Sequence, residues 1–357
     1  MVITAQAYSL GSPHKYWEND CLTWDDFSSD NVNQGGSDLI YSLGYKPEKY
    51  KHNGTFIYRY KAYCYMDRSK SWVNPANKNI ELLKYNQVIF NMVELYRRKL
   101  QNELDYIKSP LMAEEKYRTW YMICNDQIEK FKSETGNGKN IKEIIDWENY
   151  IENELNNEVS NEVPEFKKRN IGHGLFLGAN TGTFTSGLSG HFTPYQSCVL
   201  GFNVNYKNSV LFFNSYMGGS RVIKPYYGMG NWNKGQHTDI AIIDLSYGYY
   251  FINNQKLKLA PFAGLGITEL VSRPANEFTE VSRLLDNSLL FGINCDYNLR
   301  RAVNFIPSTI NEAKILTEIN LRTRLFFTKP NYSDNLKGYT VNMSLGLSFN
   351  GNLIKME

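Results

Sequence analysis

The sequence has no apolar run approaching the ~18 residues that a membrane-spanning helix requires. Histidine is scarce: five in 357 residues, at 14, 52, 173, 191 and 237, with no two at metal-ligand spacing. Catalytic zinc takes about three protein ligands, so neither a metal nor any other cofactor is expected. The five cysteines (21, 64, 124, 198 and 295) include no C-x-x-C pair, which excludes a zinc ribbon, and their odd number excludes a complete disulfide framework. Cys21 and Cys64 remain a pair that could bridge in an oxidising compartment; spacing does not fix connectivity. G-x-S-x-G, P-loop and Rossmann fingerprints are missing too. Charge is nearly even, 39 basic to 36 acidic residues. No basic run alternates with aromatics as a nucleic-acid groove needs, so no nucleic-acid partner is expected.

Tyrosine and alternation are abundant instead. There are 26 tyrosines, whose apolar ring and polar tip suit strands and membrane interfaces. The length predicts about two domains. At the start, Ala5-Gln6-Ala7 reads as an A-x-A cleavage box, making residues 1–7 the remnant of a signal peptide. Residues 8–158 mix short strands with helices expected at 78–107, 111–132 and 140–155. Residues 159–171 are polar, contain Pro164 and read as a linker; their basic stretch, EFKKRN, could touch anionic headgroups. Residues 351–357 read as a C-terminal tail.

From residue 172 to 350 the period is two. YTVNMSLGLSF (339–349) sets Tyr339, Val341, Met343, Leu345, Leu347 and Phe349 against Thr340, Asn342, Ser344, Gly346 and Ser348. Some eight such segments occur, at 173–182, 196–206, 209–219, 238–251, 256–267, 287–298, 313–326 and 338–349. Dyad segments of ~10 residues separated by turns are the pattern of an outer-membrane β-barrel. Lipid offers no hydrogen-bond partners, so strands span it only when closed on themselves. A lipocalin-like soluble barrel would invert the pattern. Here Asp244, Asp296, Glu318, Arg322 and Arg324 share the polar face with Gly, Asn and Ser, and can pair only within a common lumen. Lys207-Asn208 and Asn253-Asn254-Gln255 are tight turns, whereas 183–194, 221–237, 268–286 and 327–337 are long; 299–312 should be short and is not. Short turns lie on the periplasmic side, and an even strand count returns both barrel ends there. The N-terminal half is therefore expected in the periplasm. LAPFAGLGI (259–267) resembles the L-x-P-Y-x-G-x-G strand of small opacity-protein and OmpA-like barrels, with Phe262 for Tyr.

The N-terminal half carries four ordered motifs over about 20–150. LTWDDF (22–27), DRSKSWV (67–73), LLKYNQVIFNMVELYRRKL (82–100) and ETGNGKN (134–140), followed by Trp147, resemble segments of a family of secreted bacterial zinc-dependent proteases of the H-E-x-x-H type. The resemblance implies a zincin-like α+β fold with its chemistry lost. Tyr85 and Ile89 stand at the two histidine positions, Asn86 at the glutamate and Asn137 at a further ligand position. Isoleucine has no lone pair, and an amide is no general base near neutral pH. Gln87, Phe90, Glu94, Arg98, Lys99, Leu100, Trp24 and Trp72 retain the motif. The expectation is a degenerate α+β periplasmic domain followed by an all-β antiparallel transmembrane barrel of about eight strands. It would sit in outer-membrane lipid as a pseudoenzyme, binding or scaffolding an envelope protein through Tyr85, Asn86, Ile89 and Asn137. The alternatives are a small pore or adhesin working through its external loops, among them GGSRVIKPYYGMGNWNKGQ (218–236), or a living periplasmic hydrolase.

Overall fold

The computed structural model describes residues 12–356 except 19, 28, 31–34, 160–162, 274–280 and 308–313. The A-x-A box at 5–7 lies outside the described residues. Two strands, β1 (Tyr41–His52) and β2 (Thr55–Asp67), precede three helices: α1 (Ile80–Leu104), α2 (Pro110–Glu134) and α3 (Ile141–Asn157). Eight long strands follow: β3 (Phe166–Phe184), β4 (Tyr195–Tyr206), β5 (Ser209–Arg221), β6 (His237–Tyr249), β7 (Leu257–Arg273), β8 (Arg283–Asn304), β9 (Ile315–Lys329) and β10 (Thr340–Met356). β3 begins inside the stretch read as a linker, and β10 runs through the stretch read as a tail.

Each of the eight pairs antiparallel with the next, and β10 returns to β3, with Phe184 opposite Thr340 and His173 opposite Gly351. The eight-stranded wall closes on itself, so every wall strand has two partners. At the closing seam Gly178 faces Gly346. A Cβ on Gly346 would stand 2.1 Å from the Leu177 carbonyl oxygen, so the strands approach there only without side chains. At the tight turn between β4 and β5, Lys207 takes a left-handed φ of 55°.

In the N-terminal half, Asn53 (φ 46°) and Gly54 (φ 83°) form the Asn-Gly turn that a two-residue hairpin favours. The helices start on side-chain caps: Asn79 on Leu82 N, Ser109 on Met112 N, with Pro110 at the first turn, and Asn140 on Glu143 N. α1 packs against β2, α2 and α3 and carries the centre of one core: Val88, Phe90, Met92, Val93 and Leu100 are fully buried. Its buried Gln101 donates to Tyr60 O and accepts from Ala62 N, tying the helix to the hairpin's backbone.

The expected separate zincin-like α+β domain is overturned. Strands make up 52% of the described residues, and the N-terminal hairpin belongs to the barrel's own 12-stranded sheet. β8 runs on past its pairing with β7, which ends at Tyr297, stays paired to β9 as far as Asn304, and lays Ala302–Asn304 parallel to Phe56–Tyr58 of β2. Ile57, Val303, Phe305, Leu316 and Ile354 then form one buried cluster shared by hairpin and barrel. Buried Lys314, just before β9, donates to the Asp105 carbonyl at the end of α1. This overrun also accounts for the long 299–312 connection: half of it is strand. The four short motifs contain no signal for such a pairing, because the open edge of β2 is completed by residues some 240 positions away.

Candidate functional site

The wall strands alternate between two environments. Leu265 and Leu289, opposite one another, are 67% and 63% exposed, whereas the lumenal Asn203 and Asn294 are 0% exposed. Exposed leucine, isoleucine, valine and phenylalanine thus clothe the outside, and Tyr206, Tyr247, Tyr249, Phe251 and Tyr297 ring it at the short-turn end. Such an apolar band with an aromatic girdle is a lipid-facing surface. No helix among the described residues is long and apolar enough to cross a membrane; the strands do so. Cys21 and Cys64 are both free, the first exposed and the second buried.

The lumen is filled. Arg322 reaches Asp296 through two parallel bonds of 2.7 and 2.8 Å and gives a third to Asn203 Oδ1 at 3.0 Å. Arg324 stands 3.6 Å from Asp244 and donates to Tyr216 Oη and Ser246 Oγ. The Arg324 guanidinium lies 4.3 Å from the ring centre of Phe262 and 4.9 Å from that of Phe212. Glu318 is held by Lys258. All five lumenal charges read from the sequence are buried and paired, as a desolvated charge must be. Phe176, Phe212, Phe262 and Phe326 are buried among them, and an eight-stranded barrel is about wide enough for side chains alone.

At the other end the long connections fold into a cap. Trp232 is completely buried, edge-on to Phe192 at 5.5 Å, and its indole donates to Met229 O at 2.9 Å. Tyr226 and Trp232 exchange both backbone bonds, closing a small hairpin. Leu188, Val222, Tyr332 and Leu336 complete this core, and Tyr332 Oη donates to Thr268 O of β7. Ile223, Tyr227 and Met229 remain exposed on the cap's surface. Loop length alone gave no sign of this packing; the one available signal was a tryptophan within a Gly-rich stretch.

Tyr85, Asn86, Ile89 and Asn137 line one cleft of about 790 Å³ between α1, the loop after α2 and the short strand Ser37–Asp38. Tyr85 stacks on Phe131 at 5.1 Å, and burial pushes its phenol up from the ordinary value. Gly138 (φ 88°) packs against it: an added Cβ would lie 3.3 Å from Tyr85 Cγ. Asn86 is fully buried and donates to Leu82 O and Ser37 Oγ, while its Oδ1 has no partner. None of the four supplies a base near neutral pH. Among the described residues no group of three or more His, Cys, Asp and Glu is placed to hold a metal ion. The retained motif positions serve packing: Gln87 Oε1 accepts from Leu22 N, and buried Glu94 accepts from Arg97 and Arg98. Burial pushes the Glu94 carboxyl up, but the two guanidinium groups outweigh it and hold it below the usual range.

The junction between the two halves has its own titrating pair. Burial raises Asp105 to about 6 against the pull of Arg59 and Lys314. Burial lowers Lys314 to about 8, partly countered by Asp105. Arg59 Nη2 donates to Asp105 Oδ2 at 2.8 Å.

No protein-family model and no curated protein matches the chain, so the resemblance to zinc proteases finds no support there. Solved structures similar to the barrel half include Ail, the attachment invasion locus protein of Yersinia pestis: 9% identity, 50% of this chain, 98% of that one, TM-score 0.32. Neisserial surface protein A gives 10%, 52%, 97% and 0.31. OprG of Pseudomonas aeruginosa gives 12%, 53%, 98% and 0.26. Scores this low carry no argument. The outer-membrane type of the barrel rests on its closed wall, lipid-facing band and polar lumen.

Proposed function

We propose that the protein is a non-conducting, non-enzymatic outer-membrane barrel that works through its long-loop end in surface contact, in the manner of an adhesin, with the N-terminal half in the periplasm. The observation that carries this reading is the cap: a Trp232-centred core fixes the loops over a filled lumen and leaves Ile223, Tyr227 and Met229 exposed on a rigid base. Exposed aromatic and methionine side chains already held in place lose little entropy on contact. The filled lumen argues against the pore alternative.

The test is adherence of bacteria displaying the wild type or the triple variant Ile223→Ser, Tyr227→Ser, Met229→Ser at equal surface amount, on protein-coated surfaces and on one another. The expected result is a loss of adherence in the variant. Equal adherence by both contradicts the proposal.

One observation favours a second reading, a protein partner held in the N-terminal cleft: the unpartnered Asn86 Oδ1 on its wall. A photo-crosslinker at Lys139, exposed on the cleft's rim, in intact envelopes should then trap one defined protein; recovery of the uncrosslinked chain alone removes this reading.

A further inference from the structure

The short-turn mouth of the lumen is a pocket of about 210 Å³ whose lining has four cations, Lys168, Arg169, Lys207 and Lys258, five asparagines and Tyr250, and no carboxylate. The volume would hold about seven waters. Strand geometry puts the cations there: Lys168 lies opposite Ile354 at the start of β3, and Lys258 opposite Asp296 at the start of β7. Lys207 projects from the tight turn, its ammonium 5.6 Å from the Tyr206 ring centre. Lys258 is ion-paired with buried Glu318, whose charge also reaches Lys168. Lys168, Arg169 and Lys207 have no carboxylate within ion-pair distance among the described residues. Asn205 accepts from Asn203, which leaves its own amide N–H groups to donate. Like charges at the edge of a low-dielectric lumen repel one another, and an anion bound between them removes that repulsion.

We propose that this mouth is an anion site for a phosphate group, whether the phosphate of a soluble ester or the headgroup of an anionic lipid in the adjoining leaflet. Several cations and amide donors around a small volume suit a compact anion with several oxygens. Lys168 and Arg169 supply the charge nearest the rim, Lys207 closes the side, and Lys258, already engaged, orders the floor.

The test uses the full chain in two forms. In zwitterionic micelles at low salt it is titrated with inorganic pyrophosphate by calorimetry. In phosphatidylcholine–phosphatidylglycerol nanodiscs, native mass spectrometry reads which lipid is retained. The comparison variant is Lys168→Gln/Arg169→Gln; both side chains are exposed, and a heat-dependent gel shift checks folding. Lys207→Asn, which keeps a residue tolerant of the left-handed turn, is the second variant. Saturable pyrophosphate binding that weakens by about tenfold or more in either variant assigns the site to a soluble phosphate. Phosphatidylglycerol retention by the wild type and not by the variants assigns it to a headgroup. Binding of neither probe, or binding that both variants leave unchanged, overturns the proposal.

Discussion

At the scale of single residues, the energetics concentrate in the lumen and at Asp105. Removing one partner of a buried bidentate pair strands the other charge, which costs about 3–5 kcal/mol. Asp296→Leu should therefore destabilise the barrel by that order, read from urea unfolding in liposomes, and Asp296→Leu/Arg322→Met should recover most of the loss. Equal instability of the single and double variants would show that the pair contributes packing rather than charge balance. For Asp105, the folded carboxyl titrates at about 6, above its ordinary value of 3.8. Its protonated form is thus favoured in the fold. This stabilisation is present at low pH and is lost as the pH rises through about 6. Relative to Asp105→Asn, the wild type should lose up to about 3 kcal/mol between pH 4 and pH 7, read as the difference in N-terminal unfolding midpoints; a flat difference contradicts the assignment. The faces of Asp244, Asp296, Glu318, Arg322 and Arg324 were legible because a strand's alternation fixes them. Arg59 and Lys314 were not, since their burial depends on Asp105, 46 and 209 residues away.

At the scale of elements, two features depart from what local sequence dictates. The first is β8, whose last residues run past β7 while still paired to β9, and so extend the N-terminal hairpin. Asparagine and arginine in NLRRAVN (298–304) weaken the strand signal there, and a parallel pairing three residues long has no local signature. Val303→Pro removes a backbone donor in that pairing and fills the shared cluster badly; proteolysis should then release the N-terminal half while the barrel keeps its heat-dependent gel shift. The second is the cap. Trp232→Ala opens a cavity in a core of few residues and should cost the loops about 3–5 kcal/mol. Limited proteolysis would read this as cleavage within 221–237 with the wall intact. Resistance equal to the wild type would mean that the loops are held by their strand ends alone.

At the scale of the whole molecule, the alternation of apolar and polar residues from residue 172 onward was enough to give a closed wall with lipid outside and charge inside, because that pattern has few other physical solutions. The N-terminal half was harder. Four motif fragments around Trp24, Trp72, Tyr85 and Asn137 pointed to a self-contained protease-like domain, yet its strands join the barrel's sheet. A helix such as α1 owes its motif residues to packing, as Gln87, Glu94 and Leu100 show, and packing residues cannot tell a free domain from one fused to a neighbour. What the molecule presents at its two ends is a capped face and a cationic mouth, separated by an apolar, lipid-facing wall.

That wall is tested most directly by quenching. Single tryptophans at Leu200, Leu265 and Leu345, all outward and exposed, are placed in vesicles of ordinary or acyl-brominated phosphatidylcholine. The added emission should be strongly quenched by bromine at all three positions and barely touched by aqueous iodide. Quenching by iodide and indifference to bromine at these positions would mean that water, not lipid, covers the barrel.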